Sequence, residues 1–212
     1  MTPKQQAYKT LGNTIIKNFK KRNIEAFYCE DRTSALSLAM ELMSDGGKVG
    51  KGGTETIKEI GLLDAVKSAE HLDFLDRDLA ETSEEKRKIY LETFDCDYFL
   101  TSANAITIDG ELINMDGNGN RVACIIYGPK HVIVVAGMNK IVNDVDAGIT
   151  RIRNIAAPAN AARFGIKTPC ANMGHCGDCH ATDCMCSQMV ITRHSKDKDR
   201  IKVILVGEEL GF

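Results

Sequence analysis

The sequence predicts a three-layer α/β/α sandwich around a mixed, mainly parallel sheet. Strand-like and helical stretches alternate through the first half of the chain, the order that feeds parallel strands through helical crossovers. Strand-like runs then crowd together between residues 97 and 137 with tight turns between them, which adds hairpins and makes the sheet mixed. The 212 residues, 43% of them hydrophobic, suffice for one α/β domain with a sizeable core. Residues 1–212 are therefore read as a single domain, with a cysteine-rich segment at 168–187 inside it.

The elements follow in order. Leu11, Ile15, Ile16 and Phe19 recur at helical spacing, with Lys17, Lys20, Lys21 and Arg22 on the other face. "NIEAFYC" (23–29) reads as a strand. Asp31 or Thr33 can cap a helix through Met43. "DGGKVGKGGTE" is a glycine-rich turn around a short strand. Thr54 is placed to cap a helix to about Ile60, stopped by Gly61. "HLDFLDR" (71–77) reads as a strand, and Ser83 opens a helix. "DYFLTSANAITI", "ELINMDG", "VACIIYG" and "HVIVVAG" read as four strands, with Asp109–Gly110 as a hairpin turn. Asp144 or Asp146 starts a helix through about Ala157. After the cysteines come strands in "QMVITR" and "RIKVILVG".

The formal net charge of −2 leaves no basic excess for nucleic acid or an anionic membrane surface. The N-terminus lacks the apolar core of a signal peptide, and no stretch approaches the roughly 18 apolar residues of a bilayer span. The expected compartment is the cytosol. Thiols stay reduced there, so clustered cysteines favour metal or redox chemistry over a disulfide framework.

Two constellations suggest a ligand site. Gly50, Gly52 and Gly53 lie between a strand and a helix start, with Lys51, Thr54 and Thr56 beside them. Glycine permits close backbone approach, and a helix start attracts anions. The pattern is neither G-x-G-x-x-G nor a Walker motif, and it equally suits a tight turn. The second constellation threads Asn104, Asn114, Asp116, Asn118, Asn120, Arg121, Lys130, Asn139 and Lys140 between core strands. Buried polar groups need partners, so these residues belong at strand ends, where open α/β sheets place ligands. Glu55 and Asp116 are the candidate catalytic carboxylates; equally, Glu55 suits a helix first turn and Asp116 a hairpin turn. The expected ligand contacts are Gly52, Gly53, Thr54, Asn104, Asn120, Arg121 and Lys130.

The blocks "VGKGGTETIKEIGLLD", "SANAITIDGELINMDGNGNRVA" and "GPKHVIVVAGMNKIV" resemble, in order, the LUD-domain (lactate utilisation) family, from about residue 10 to the end. The resemblance implies a fold of the NagB/RpiA/CoA-transferase type, whose members bind sugar phosphates, CoA esters or folates at C-terminal strand ends. It also implies oxidation of L-lactate to pyruvate beside iron–sulfur partner subunits. The family's turn resembles G-S-x-S/T; here Gly52, Gly53 and Thr54 stand in that place, so a serine hydroxyl is missing.

Five of the eight cysteines fall in the spacing C-x5-C-x2-C-x4-C-x-C, at 170, 176, 179, 184 and 186. Zinc would take four ligands, with His175 and His180 as extra nitrogen candidates, and an iron–sulfur cluster would take four thiolates. The expected ligands are Cys170, Cys176, Cys179 and Cys186, with Cys184 left over. A redox dithiol is the next reading. Cys29, Cys96 and Cys124 suit packing as small hydrophobes. The expected function is a subunit or accessory of a lactate-oxidising system that binds an anionic small molecule and an iron–sulfur cluster or zinc. The alternatives are a stand-alone transferase, isomerase or ligase with a structural zinc, and a metabolite sensor. The N-terminal helix and open sheet edges are surfaces on which a homodimer could form.

Overall fold

Alternating apolar residues decide the architecture. In a computed structural model that describes residues 1–212, the elements in chain order are α1 (Pro3–Lys21), β1 (Glu25–Cys29), α2 (Arg32–Glu41), β2 (Gly47–Lys51), α3 (Thr56–Glu59), α4 (Leu62–Ser68) and β3 (Leu72–Phe74). There follow α5 (Ser83–Phe94), β4 (Tyr98–Thr101), β5 (Ala105–Thr107), β6 (Leu112–Asp116), α6 (Asn120–Ile126), β7 (His131–Gly137) and β8 (Ile141–Val142). The chain ends with α7 (Val145–Arg151), α8 (Ala157–Phe164), α9 (Pro169–Met173), β9 (Gln188–Thr192) and β10 (Ile201–Val206).

Six strands form one fully parallel sheet in the order β1-β10-β7-β4-β2-β3. Successive side chains point to opposite faces. On β7, Val132, Val134 and Ala136 enter one core while Ile133 and Val135 enter the other. On β10, Val203 and Leu205 face the first core, and Ile204 and Val206 the second. Ile15 and Phe19 of α1 and Ile125 of α6 cover the first face; Ala35 and Ala39 of α2, Ile57 of α3 and Val66 of α4 cover the second. Each fully buried large side chain such as Phe19 contributes on the order of 1.5–3 kcal/mol. The three-layer sandwich is the one the sequence predicts.

The mixed character lies elsewhere than expected. The hairpin strands leave the parallel sheet and build a second one, β8-β5-β6-β9. β5–β6 and β6–β9 are antiparallel, and β5–β8 is parallel. Ile106 and Leu112 anchor this small sheet on the first core, while Ala105 and Ile113 face Ile152. "VACIIYG" is not a strand. It lies in α6, which buries Val122, Cys124 and Ile125 and leaves Ile126 and Tyr127 exposed. The apolar run is β-branched at its ends, but the burial it needs is helical.

The helix starts expected at Asp31 and Asp144 are present: both side chains accept a hydrogen bond from the first turn. Thr82 closes a reciprocal capping box with Glu85 at α5. Thr54 is not a cap. α3 starts after Glu55 without a side-chain cap, and Gly61 ends it in the left-handed conformation (φ 76°). The helix from Asp144 runs to Phe164, but Ile152–Ala156 is wound as a π-helical segment. No helix is long and apolar enough to cross a membrane.

Candidate ligand cleft

The strand ends of β2 and β4 diverge. The chain leaving β2 at Gly52 turns towards α3 and β3, while the chain leaving β4 at Ser102 turns into the small sheet. Ligands of open α/β sheets bind where neighbouring strands send their connections apart. A cleft of about 560 Å³ lies there, within the size range of ligand sites. Its walls are the turn Gly53–Glu55, the segment Ser102–Asn104, the β6–α6 connection, Lys140, the π segment with α8, and Thr182–Cys186. Both constellations and the cysteine segment therefore contribute to one concavity.

The glycines serve packing before they serve a ligand. A Cβ at Gly50 would sit 2.4 Å from Thr93 Cγ2 on α5, and one at Gly52 would sit 2.9 Å from the Arg121 side chain. Neither residue lines the cleft, whereas Gly53 and Thr54 do. Thr54 Oγ1 is buried without a hydrogen-bond partner.

Arg121 is the organiser of the site. Its Nε donates to Asp116 Oδ2 (3.3 Å), Nη1 to Ser102 O (3.0 Å) and Asn114 Oδ1 (2.7 Å), and Nη2 to Asn104 Oδ1 (2.9 Å) and Met115 O (2.7 Å). All five guanidinium donors are thus used within the protein. Burial pulls Arg121 below its ordinary pKa, against the pull of Asp116. Arg121 lines the cleft, yet every one of its donors is spent within the protein, and it clamps β4, β6 and α6 together. Asn104 is held in the same way, accepting also from Met115 N (2.9 Å). Asn120 lines the cleft at the first residue of α6.

Lys130 is at the other end of the strands. It precedes β7 at the N-terminal strand edge and pairs with Asp97 at 2.7 Å. The "GPK" turn enters the strand rather than leaving it, so Lys130 takes no part in the cleft.

Both candidate carboxylates reach the cleft, and both are engaged. Glu55 pairs with Arg163 and, at 3.1 Å, with Lys58. Burial pushes its carboxyl up, but the two cations outweigh burial and hold it below its ordinary value. Asp116 accepts Gly119 N (2.8 Å) besides the Arg121 pair.

Lys140 was visible in the sequence only as one polar residue among many. It ends the 3-10 turn after β7, is 3% exposed, and lines the cleft. Its ammonium donates to Thr56 Oγ1 and Ser102 Oγ, each at 3.0 Å, and no carboxylate lies within ion-pair distance. Arg163 and Asn160 of α8, 2.9 Å apart, were not anticipated either. Nothing in the local sequence marks them, because α8 reaches the site only through the tertiary fold.

The cysteine segment is bolted onto this wall. Cys176 N donates to Arg153 O (2.9 Å) in the π segment, Arg153 pairs with Asp178 (2.8 Å), and Ser187 N donates to Asp116 O (3.0 Å). All eight cysteines are free; Cys29, Cys96 and Cys124 are buried and the other five half-buried. Burial pushes Cys96 up to about 11 and Cys124 to about 12, so these two thiols are inert at neutral pH. Burial and then the nearby Cys184, Cys176 and Cys170 push Cys186 to about 12. No three Cys, His, Asp or Glu side chains stand in an arrangement that holds a metal, so the thiols as placed form no closed shell for zinc or a cluster.

The molecule is thus an α/β/α protein with a polar cleft at a divergence of parallel strands. The LUD-domain profile matches residues 13–206, and the chain belongs to that family, which is associated with lactate utilisation. A DUF162 family protein from Deinococcus radiodurans has a similar fold (TM-score 0.55, 14% identity), the match covering 94% of this chain and 98% of that one. No curated protein matches the chain.

Proposed function

We propose that the chain binds a small carboxylate of the 2-hydroxy or 2-oxo acid kind in the cleft and serves a cytosolic system that oxidises L-lactate to pyruvate. One observation carries the reading. Of the cleft's carboxylates, Glu55, Asp116 and Asp78 are paired with Arg163, Arg121 and Lys51 and Asp183 is exposed to solvent, while the buried cation Lys140 has no anionic partner. A buried charge without a counterion attracts one.

We further propose that the cysteine segment holds an iron–sulfur cluster or zinc, working beside iron–sulfur partner subunits. Five thiols within 17 residues support this. The thiols must draw together on binding. Metal analysis with a visible absorption spectrum, on protein purified without oxygen, tests it. Iron with sulfide and a broad visible band supports the cluster; zinc alone makes the segment a structural clip. Metal-free protein with all thiols titratable refutes both. Calorimetry with lactate and pyruvate tests the ligand, and absence of heat at millimolar concentration refutes it.

A further inference from the structure

Thr56, Ser102 and Lys140 arrive from three separate segments: the first residue of α3, the residue after β4, and the 3-10 turn after β7. They close a triangle. Lys140 Nζ lies 3.0 Å from each hydroxyl, and Thr56 Oγ1 lies 3.4 Å from Ser102 Oγ. Their exposures are 0%, 5% and 3%, and Ser102 and Lys140 line the cleft. A lysine buried for structure alone is expected to have a carboxylate. This one has two hydroxyls. The charged groups that act on it are Arg151 of α7 and Arg121 of α6, which oppose its proton, and Glu59 of α3, which favours it. Burial first, and the two arginines after it, bring its pKa to about 7, so much of the amine is neutral at neutral pH. When charged, the lysine donates to Ser102 Oγ, whose hydroxyl rests on Ala103 O at 3.4 Å; when neutral, it can accept that hydroxyl's proton, the arrangement of a nucleophile with its base.

We propose that Ser102 and Lys140 form a nucleophile–base pair for acyl transfer from a small ester or thioester bound in the cleft. Ser102 Oγ attacks the acyl carbon while the Lys140 amine takes the hydroxyl proton; the new C–O bond forms and the carbonyl electron pair moves to oxygen. Collapse of that intermediate breaks the bond to the leaving alcohol or thiol, which receives the proton from the Lys140 ammonium. Water then attacks the serine ester, giving a proton to the same amine; the bond to Ser102 Oγ breaks, that oxygen takes the proton back from the Lys140 ammonium, and the acid leaves. Thr56 is a positioning residue that holds the amine. Thr54 Oγ1, unpartnered on the same cleft, is a hydroxyl donor still unused. The inference shares the cleft with the reading above and needs no metal.

The test treats the full chain with a fluorophosphonate probe and locates adducts by mass spectrometry. Ser102 acquires the label, Ser102→Ala does not, and the labelling rate climbs as pH rises through about 7. Lys140→Arg keeps the charge but cannot act as base, so labelling slows by roughly a hundredfold or more, while the melting temperature confirms that the variant is folded. An unlabelled Ser102 in the folded wild type overturns the proposal, as does equal labelling of Lys140→Arg. The same samples are titrated with lactate and pyruvate. Carboxylate binding without labelling sinks the acyl-transfer inference alone; labelling without carboxylate binding sinks the lactate-type ligand alone.

Discussion

Replacing Arg121 by Met isolates what holds the cleft together. The substitution keeps an unbranched side chain of moderate bulk and removes five hydrogen bonds at once. It leaves the Asp116 carboxylate, whose side chain is 10% exposed, without its cation, and it strips Asn114 Oδ1 and Ser102 O of a donor. Breaking a buried pair from one side costs about 3–5 kcal/mol. Typical total stabilities are about 5–15 kcal/mol. A chain of this size loses roughly 2–4 °C per kcal/mol, so melting falls by about 6–20 °C. The chain has no tryptophan, so urea unfolding is followed by far-UV circular dichroism. Arg121→Met with Asp116→Asn recovers part of the loss, because the abandoned charge is gone. Arg121→Lys recovers little, since one ammonium cannot span five acceptors. An Arg121→Met protein within about 1 kcal/mol of wild type would refute the clamp.

Three further outcomes follow from the same geometry. Lys140 has its pKa lowered from 10.5 to about 7, so between those values the unfolded chain binds a proton that the folded chain does not; the burial cost is full below about 7 and relieved above it. Wild-type stability relative to Lys140→Met therefore rises by roughly a few kcal/mol from neutral pH to pH 10 in denaturant titrations, and a flat difference contradicts a buried amine. Gly50→Ala drives a Cβ into the Thr93 methyl and costs about 1–3 kcal/mol; Thr93→Ser removes that methyl, and a double variant no better than the sum of the singles rejects this packing. Lys130→Ala leaves calorimetric binding of any cleft ligand unchanged, because its partner Asp97 is at the opposite strand edge; weakened binding would put Lys130 back in the site.

The sandwich was legible because burial on β7 and β10 alternates between two cores, and such runs declare themselves within one segment. The polar string from Asn104 to Arg121 also marked the right neighbourhood. Its roles were hidden, since whether Arg121 meets a ligand or five protein acceptors depends on where β4, β6 and α6 converge. Lys130 and Lys140 look alike in sequence. One precedes β7 and the other follows it, and only direction along a parallel strand separates surface from cleft. The α6 run failed because Val, Cys and Ile satisfy either period over a few residues, and tertiary burial chose the helix. Arg163 reaches the cleft through a helix whose own sequence carries no site signal.

The bolts between the cysteine segment and the cleft have a thermodynamic corollary. Ser187 N rests on Asp116 O, and the main chain at Met185 passes 3.2 Å from where a Cβ on Gly117 would lie. Cys184 and Cys186 line the cleft themselves, so a ligand there and a metal on the thiols, as proposed, would share one wall. A cleft ligand that reshaped residues 182–186 would alter how the thiols take up a metal, and linkage would oblige the metal to alter the cleft's affinity by the same factor.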